Sequence, residues 1–202
     1  MSSTPERIGV LGGTFDPIHI GHLAAARAAI ECARLDRVLF VPTGQPPHRA
    51  AAAASAEDRL EMTRLATAGE DRFGVSDVEL RRSGPSFTSD TLRDLHELHP
   101  SAALFLILGW DAARHFRTWH EPDEVRRLAT IVVVTRPGTG SPQPTELAAA
   151  GLDGAQVIVC VDRTPDVSAS SIRRDVMSGR SVDGKVPPAV QQYVAAHGLY
   201  AG

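Results

Sequence analysis

Apolar residues along this chain fall into short continuous runs separated by stretches with helical spacing, and the two kinds alternate from Arg7 onward. A run such as Leu104-Phe105-Leu106-Ile107-Leu108 has no polar face, which suits a strand covered on both sides by helices. On this pattern strands are expected at Arg7–Leu11, Arg37–Val41, Phe73–Val75, Leu104–Leu108, Ile131–Thr135 and Gln156–Val159. Helices are expected at Gly21–Ala33, Ala56–Ala68, Ser89–Leu98, Asp111–Phe116, Pro122–Leu128, Ser171–Met177 and Pro188–His197. Strand alternating with helix implies an α/β fold class, with an open parallel sheet and helices on both faces. Ser55, with Asp58 three residues on, makes a helix start, and Asp111 is a candidate cap for the helix after the fourth strand. The stretch Arg136 to Thr145, rich in Pro, Gly, Ser and Thr, reads as an exposed loop, and Ala50 to Ala54 reads as a flexible tether.

Composition narrows this picture. At 202 residues and 43% hydrophobic content the chain can bury one core of ordinary size, so a single domain over 1–202 is expected, with the helical stretch from about 165 to 202 belonging to it. A formal net charge of −3 weighs against a constitutive nucleic-acid binder. Met1 to Arg7 is polar and runs straight into the first strand, and no apolar run approaches membrane-spanning length, so a cytoplasmic protein without membrane partners is expected. Homo-oligomerisation is left open. Lys185 is the sole lysine among 21 basic residues, so cationic contacts to phosphate fall to arginine or histidine. Cys32 in a helical pattern and Cys160 at the end of an apolar strand read as small buried hydrophobes rather than as a disulfide or metal pair.

The chemistry concentrates where the first strand becomes a helix: Gly12-Gly13-Thr14-Phe15-Asp16-Pro17-Ile18-His19-Ile20-Gly21-His22. Free N–H groups and the partial positive charge of a helix N-terminus favour an anion there, and phosphate is the natural candidate. His19 and His22, three apart, share one face of the first turn, and Gly21 leaves the backbone open to close approach. Neither the GxxxxGK[ST] nor the GxGxxG pattern is present. A glycine pair can be only a tight turn and a histidine only a capping group. Zinc would need further ligands, and no HxxxH or CxxC accompanies the pair. Asp16 reads as a turn residue before proline, with a water-mediated metal contact as the competing role. In an open parallel sheet ligands bind beyond the carboxyl ends of the strands. The expected strands bring Gly12 to His22, Pro42 to Arg49, Gly109 to Asp111, Arg136 to Gly138 and Ser168 to Arg173 to that one edge.

These segments carry a resemblance. His19-Ile20-Gly21-His22 resembles the (H/T)xGH signature of the nucleotidylyltransferase superfamily, and GGTFDPIHxGH its form in bacterial nicotinate mononucleotide adenylyltransferases. Pro46-Pro47-His48-Arg49 is similar to that family's PPHK loop, Pro85 to Leu92 to PSYTxDTL, Gly109-Trp110-Asp111 to GxD and Val167 to Arg173 to ISSTxIR. Trp119 stands where a family tryptophan is expected, and Val190 to Tyr200 resembles VxxYIxxxxLY. The chain departs from the pattern at Arg49 for lysine, Ala169 for serine and Ser170 for threonine. The resemblance implies a Rossmann-like sheet and transfer of AMP from ATP to nicotinate mononucleotide, with Mg²⁺ held mainly by ATP phosphates and water and no protein metal site.

By the same resemblance His19, His22 and Arg173 are catalytic. Gly12, Gly13, Thr14, Gly21, His48, Arg49, Gly109, Asp111, Ser168 and Ser170 bind ATP, and Thr88, Trp119 and His120 bind nicotinate mononucleotide. Capping alone would explain Ser168 and Ser170, and core packing alone would explain Trp119. Two other readings stand beside it: a sibling such as a phosphopantetheine adenylyltransferase or cytidylyltransferase, and a nucleotide-binding module without turnover.

Overall fold

A computed structural model describes residues 4–45, 52–135, 140–154, 156–161 and 165–201. Six parallel strands, β1 (Arg7–Gly13), β2 (Arg37–Pro42), β3 (Phe73–Val75), β4 (Ala103–Gly109), β5 (Ala129–Thr135) and β6 (Val157–Val161), form one sheet. Their order is β3-β2-β1-β4-β5-β6, so the chain reverses direction across the sheet between β1 and β4. That reversal opens a crevice at the carboxyl ends of the two central strands.

Successive side chains of a strand point to opposite faces, and here both faces are buried. Leu11, Val38, Phe40, Phe105, Ile107, Val132 and Val134 join one core with α1 (Ile20–Ala33), α2 (Ala56–Thr67), α8 (Ala169–Met177) and α9 (Pro188–Ala196). Ile8, Val10, Leu39, Val41, Leu104, Leu106, Leu108, Ile131 and Val133 join the other. That second core is covered by α4 (Thr88–Leu98), α6 (Pro122–Leu128) and the short helix α5 (Trp110–Ala113). Two further short helices, α3 (Val78–Arg81) and α7 (Pro144–Ala149), complete the set among the described residues. Gly9 is required by this packing, because a Cβ there would lie 2.8 Å from Leu35, 2.9 Å from Ile107 and 2.9 Å from Val38. No helix among the described residues is long and apolar enough to cross a membrane.

Several expectations are corrected. The loop expected from Arg136 to Thr145 gives way at Pro144 to α7, whose capping box pairs Gln143 with Glu146; positions 136–139 lie outside the described residues. α3 and a 3-10 turn at Phe116–Thr118 carry too few residues to show a helical period, and the helix expected over Asp111–Phe116 is instead α5 followed by that turn. Cys32 is exposed rather than buried, and it is disulfide-bonded to Cys160 across 128 residues of sequence. α1 packs over β6 and brings the pair together, a tertiary proximity that local spacing does not carry. Residues 52–54 of the expected tether are fixed: the N–H groups of Ala53 and Ala54 donate to the Asp16 carboxylate at 2.7 and 3.1 Å.

The C-terminal segment is fastened by polar clamps. Tyr200 Oη donates to Asp16 Oδ1 at 2.8 Å and Tyr193 Oη to Asp58 Oδ1 at 3.0 Å. Lys185 Nζ donates to Asp175 Oδ2 at 2.7 Å and Arg180 Nε to Asp175 Oδ1 at 2.9 Å. Those two cations hold the Asp175 carboxyl below the usual carboxylate range, with the Lys185 hydrogen bond the largest cause.

Two predictions follow from these clamps. A carboxyl with a depressed folded pKa adds stability above its unfolded value and loses it as the pH falls through the folded one. Asp175→Asn is therefore expected to lower the melting temperature at pH 7, with the gap to wild type closing below about pH 4; a gap independent of pH would contradict the pairing. Tyr200→Phe removes one hydroxyl from a buried charge and is expected to cost about 1–2 kcal/mol in urea unfolding, against no loss if Asp16 is satisfied without it.

Candidate active site

β1 ends at Gly13, and the chain turns through Phe15, whose φ of 49° is left-handed, and through a cis peptide bond between Asp16 and Pro17, before α1 begins at Ile20. His19 is the N-cap residue. Its backbone N–H donates to His22 Nδ1 at 3.1 Å, which leaves Nε2 of a neutral His22 ring carrying the proton and able to donate. The two imidazoles stack, with centroids 3.7 Å apart and planes 26° from parallel. A Cβ on Gly21 would lie 3.1 Å from the His19 ring, so this glycine makes room for the histidine while it lines the cavity above the turn. Gly12 is the open position: it is exposed, and nothing approaches the place of its missing Cβ within 4 Å.

Asp16 is buried, with its carboxylate engaged by the Ala53 and Ala54 N–H groups and the Tyr200 hydroxyl. This is the turn-shaping role. Its own carbonyl accepts from Arg173 Nη1 at 2.6 Å, and the guanidinium lies 3.7 Å from the carboxylate. Arg59, buried beneath the loop, donates to the Thr14 carbonyl at 2.8 Å. The turn between β1 and α1 is thus held from α2, α8 and the C-terminal segment.

A cavity of about 630 Å³ opens over this turn, lined by Gly12 to Asp16, His19, Gly21, His22, Gly109 to Ala112 and Pro165, with Val167 to Ser170 and Arg173 on its far side. Ser168 caps α8, its hydroxyl accepting from the Ser171 N–H at 3.2 Å, while Ser170 is exposed toward the cavity. Asp111 is not a cap. Gly109 occupies the N-cap of α5, and Asp111 lies exposed in the first turn, on the wall of this cavity and of its neighbour.

The second cavity, of about 510 Å³, shares Gly12, Gly13, Thr14, Leu108, Asp111 and Ala112 with the first. Its far walls come from Ser86, Phe87 and Thr88 at the N-terminus of α4 and from Thr118, Trp119 and His120. Trp119 is half-buried, packed against Phe116 with centroids 5.5 Å apart, so it serves core and cavity together. The rings of Phe87 and His120 face each other at 4.2 Å. Both volumes fall in the range of small-molecule sites.

Sequence reasoning missed Phe87 as a wall residue and Glu79 altogether. Phe87 lay inside a segment already singled out for Thr88. Glu79 sits on the four-residue α3, which offered no pattern to read. Its buried carboxylate accepts from Thr91 Oγ1 at 2.7 Å and from the Gly44 N–H at 3.3 Å, joining the loop after β2 to α4, and burial raises its pKa above the ordinary carboxylate value. His48, Arg49 and Arg136 to Gly138 lie outside the described residues. Among the described residues no group of three or more His, Cys, Asp or Glu side chains could hold a metal ion.

The chain matches the cytidylyltransferase-like family model over residues 10–175. A Corynebacterium kroppenstedtii protein named as a probable nicotinate-nucleotide adenylyltransferase is 46% identical over 200 residues, covering 98% of this chain and 93% of that protein. A Thermus thermophilus protein of the same name is 48% identical over 196 residues, covering 96% and 99%. The fold is shared with the Plasmodium falciparum nicotinic acid mononucleotide adenylyltransferase complexed with NaAD, at a TM-score of 0.80 and 17% identity, covering 96% of this chain and 97% of that one. With relatives this similar over nearly their full length, the chain belongs to the nicotinate-nucleotide adenylyltransferase family, within the cytidylyltransferase-like group.

Proposed function

We propose that this chain transfers AMP from ATP to the 5′-phosphate of nicotinate mononucleotide, forming nicotinate adenine dinucleotide and releasing pyrophosphate. The observation that carries the reading is the pair of cavities meeting at Gly12, Gly13, Thr14 and Asp111, directly above the histidine turn. A direct transfer needs two anionic substrates in line across one point, and no protein nucleophile.

A phosphate oxygen of the mononucleotide attacks the α-phosphorus, and the bond to the bridging oxygen breaks with its electron pair leaving on pyrophosphate. The exposed Gly12 backbone and its neighbours Gly13 and Thr14 let the α-phosphate approach, and the partial positive charge at the N-terminus of α1 attracts it. His19 and His22 donate to phosphate oxygens as charge builds on them, where preorganised donors are worth most. Arg173, fixed by the Asp16 carbonyl, and the N-terminus of α8 with Ser168 and Ser170 receive the β- and γ-phosphates. His48 and Arg49 would meet the same pyrophosphate. Gly109 and Asp111 line the ribose end of the ATP cavity.

In the second cavity Trp119 offers a stacking face to the pyridine ring, and N–H groups at Thr88 and His120 satisfy its carboxylate. The Asp16 carboxylate is already satisfied by protein donors, so a Mg²⁺ ion bound with ATP would be held by the ATP phosphates and water, as suits an ion that dehydrates reluctantly. The chemistry it would supply there is charge neutralisation between the two phosphate groups. With ATP as co-substrate, the reading includes action in the cytoplasm.

The test is pyrophosphate release with ATP and Mg²⁺, comparing nicotinate mononucleotide, nicotinamide mononucleotide and phosphopantetheine as acceptors. Turnover with the first supports the reading; turnover with phosphopantetheine alone, or with none, rejects it. His19→Ala and His22→Ala are each expected to lower kcat by ~10²-fold or more, and unchanged turnover in both would remove the proposed role. Trp119→Ala is expected to raise KM for nicotinate mononucleotide by roughly 10-fold while leaving that for ATP near wild type. Equal rises in both constants would make Trp119 a packing residue only.

A further inference from the structure

The second cavity has two walls that come from separate elements. One is the N-terminus of α4, with Phe87 and Thr88; the other is the turn Trp119-His120-Glu121 that leads into α6. Among the described residues no backbone hydrogen bond joins positions 86–88 to 118–121. The gap between the walls, which sets the space for a flat ring beside Trp119, is therefore fixed by side chains.

One side chain spans it from behind. Arg93, on α4 and outside the cavity lining, donates from Nη2 to Glu121 Oε2 at 2.5 Å, from Nε to Glu124 Oε1 at 3.3 Å and from Nη1 to Asp90 Oδ1 at 2.8 Å. Glu124 is in turn gripped by Arg127 through two bonds of 2.7 Å. Glu121 has φ 49° and ψ 56°, a left-handed conformation that costs energy in a residue with a Cβ and persists only where its surroundings enforce it. This strained residue directly follows His120, whose ring faces Phe87 across the cavity mouth. A single exposed ion pair would fix little, but a planar guanidinium meeting three carboxylates on two helices and a turn has its geometry set by all of them together.

We propose that Arg93 is a positioning residue for the mononucleotide cavity, holding the Trp119–Glu121 turn at a set distance from the N-terminus of α4. The assignment of the cavity to nicotinate mononucleotide rests on the proposed function; the brace itself does not. Arg93 touches no substrate and acts through the placement of Trp119 and of the His120 backbone.

Steady-state kinetics of Arg93→Met are expected to show KM for nicotinate mononucleotide raised by ~5-fold, with kcat and KM for ATP within about twofold of wild type. Arg93→Lys, which keeps the charge but loses the fork, is expected to recover only part of that loss. The chain has two tryptophans, Trp110 and Trp119, so a Trp110→Phe background makes Trp119 the lone fluorophore. There Arg93→Met is expected to red-shift its emission and increase its quenching by acrylamide, with no substrate present. Unchanged emission and quenching overturn the brace, as does a parallel rise of both KM values. A wild-type chain that fails to use nicotinate mononucleotide sinks the functional reading instead, and the fluorescence comparison still decides the role of Arg93.

Discussion

Burying a carboxylate is costly unless protein donors replace the water it gives up, and Asp16 meets that condition with two backbone N–H groups and one phenol. The donors come from the segment before α2 and from the C-terminal segment, so satisfying one charge draws two remote stretches of chain onto the β1–α1 turn. Arg173 adds a third by binding the Asp16 carbonyl. The histidine turn is held by this convergence as well as by its own His19–His22 hydrogen bond. A glycine-bearing loop with a left-handed Phe15 would otherwise have many conformations open to it. Under the proposed function this order matters, because preorganised donors need not be ordered at the moment of reaction.

Sheet topology then decides what this fixed turn faces. Because the strand order reverses between β1 and β4, the turns after these two strands diverge to opposite faces and leave a crevice between them. The Gly12–Thr14 segment and Asp111 border both cavities for this reason. The two cores play unequal parts. α1 and α8 on one face border the first cavity, α4 on the other borders the second, and α5 borders both.

Much of this was legible in the sequence where periodicity is long or residues are chemically distinctive. Each of the six strands was expected within a few residues of its place, as were α1, α2, α4, α6, α8 and α9, of which α1, α2 and α4 run long enough to show a buried stripe. The histidine turn was visible from its residue types alone, and Ser55 caps α2 as expected. What escaped depends on tertiary proximity or on elements too short to be periodic. Glu79 on α3 and the three-carboxylate grip of Arg93 have no local signature. The pairing of Cys32 with Cys160 was hidden by their separation, and exposure of Cys32 could not be told from a helical pattern that is alanine-rich on every side. That the His19 ring packs against Gly21 was equally hidden, because a missing Cβ says only that something approaches, not what.

The hydroxyl of Tyr200 reaches Asp16 across 184 residues of sequence. During synthesis the turn that carries both histidines is made long before the residue that supplies one of its fastenings. Until the C-terminal segment has been translated and docked, Asp16 lacks its phenol donor, and the stretch between β1 and α1 is held by fewer bonds than in the finished fold. The fully fastened turn is thus completed only after Tyr200 has been made, and alterations near Tyr200 are alterations of the cavity floor.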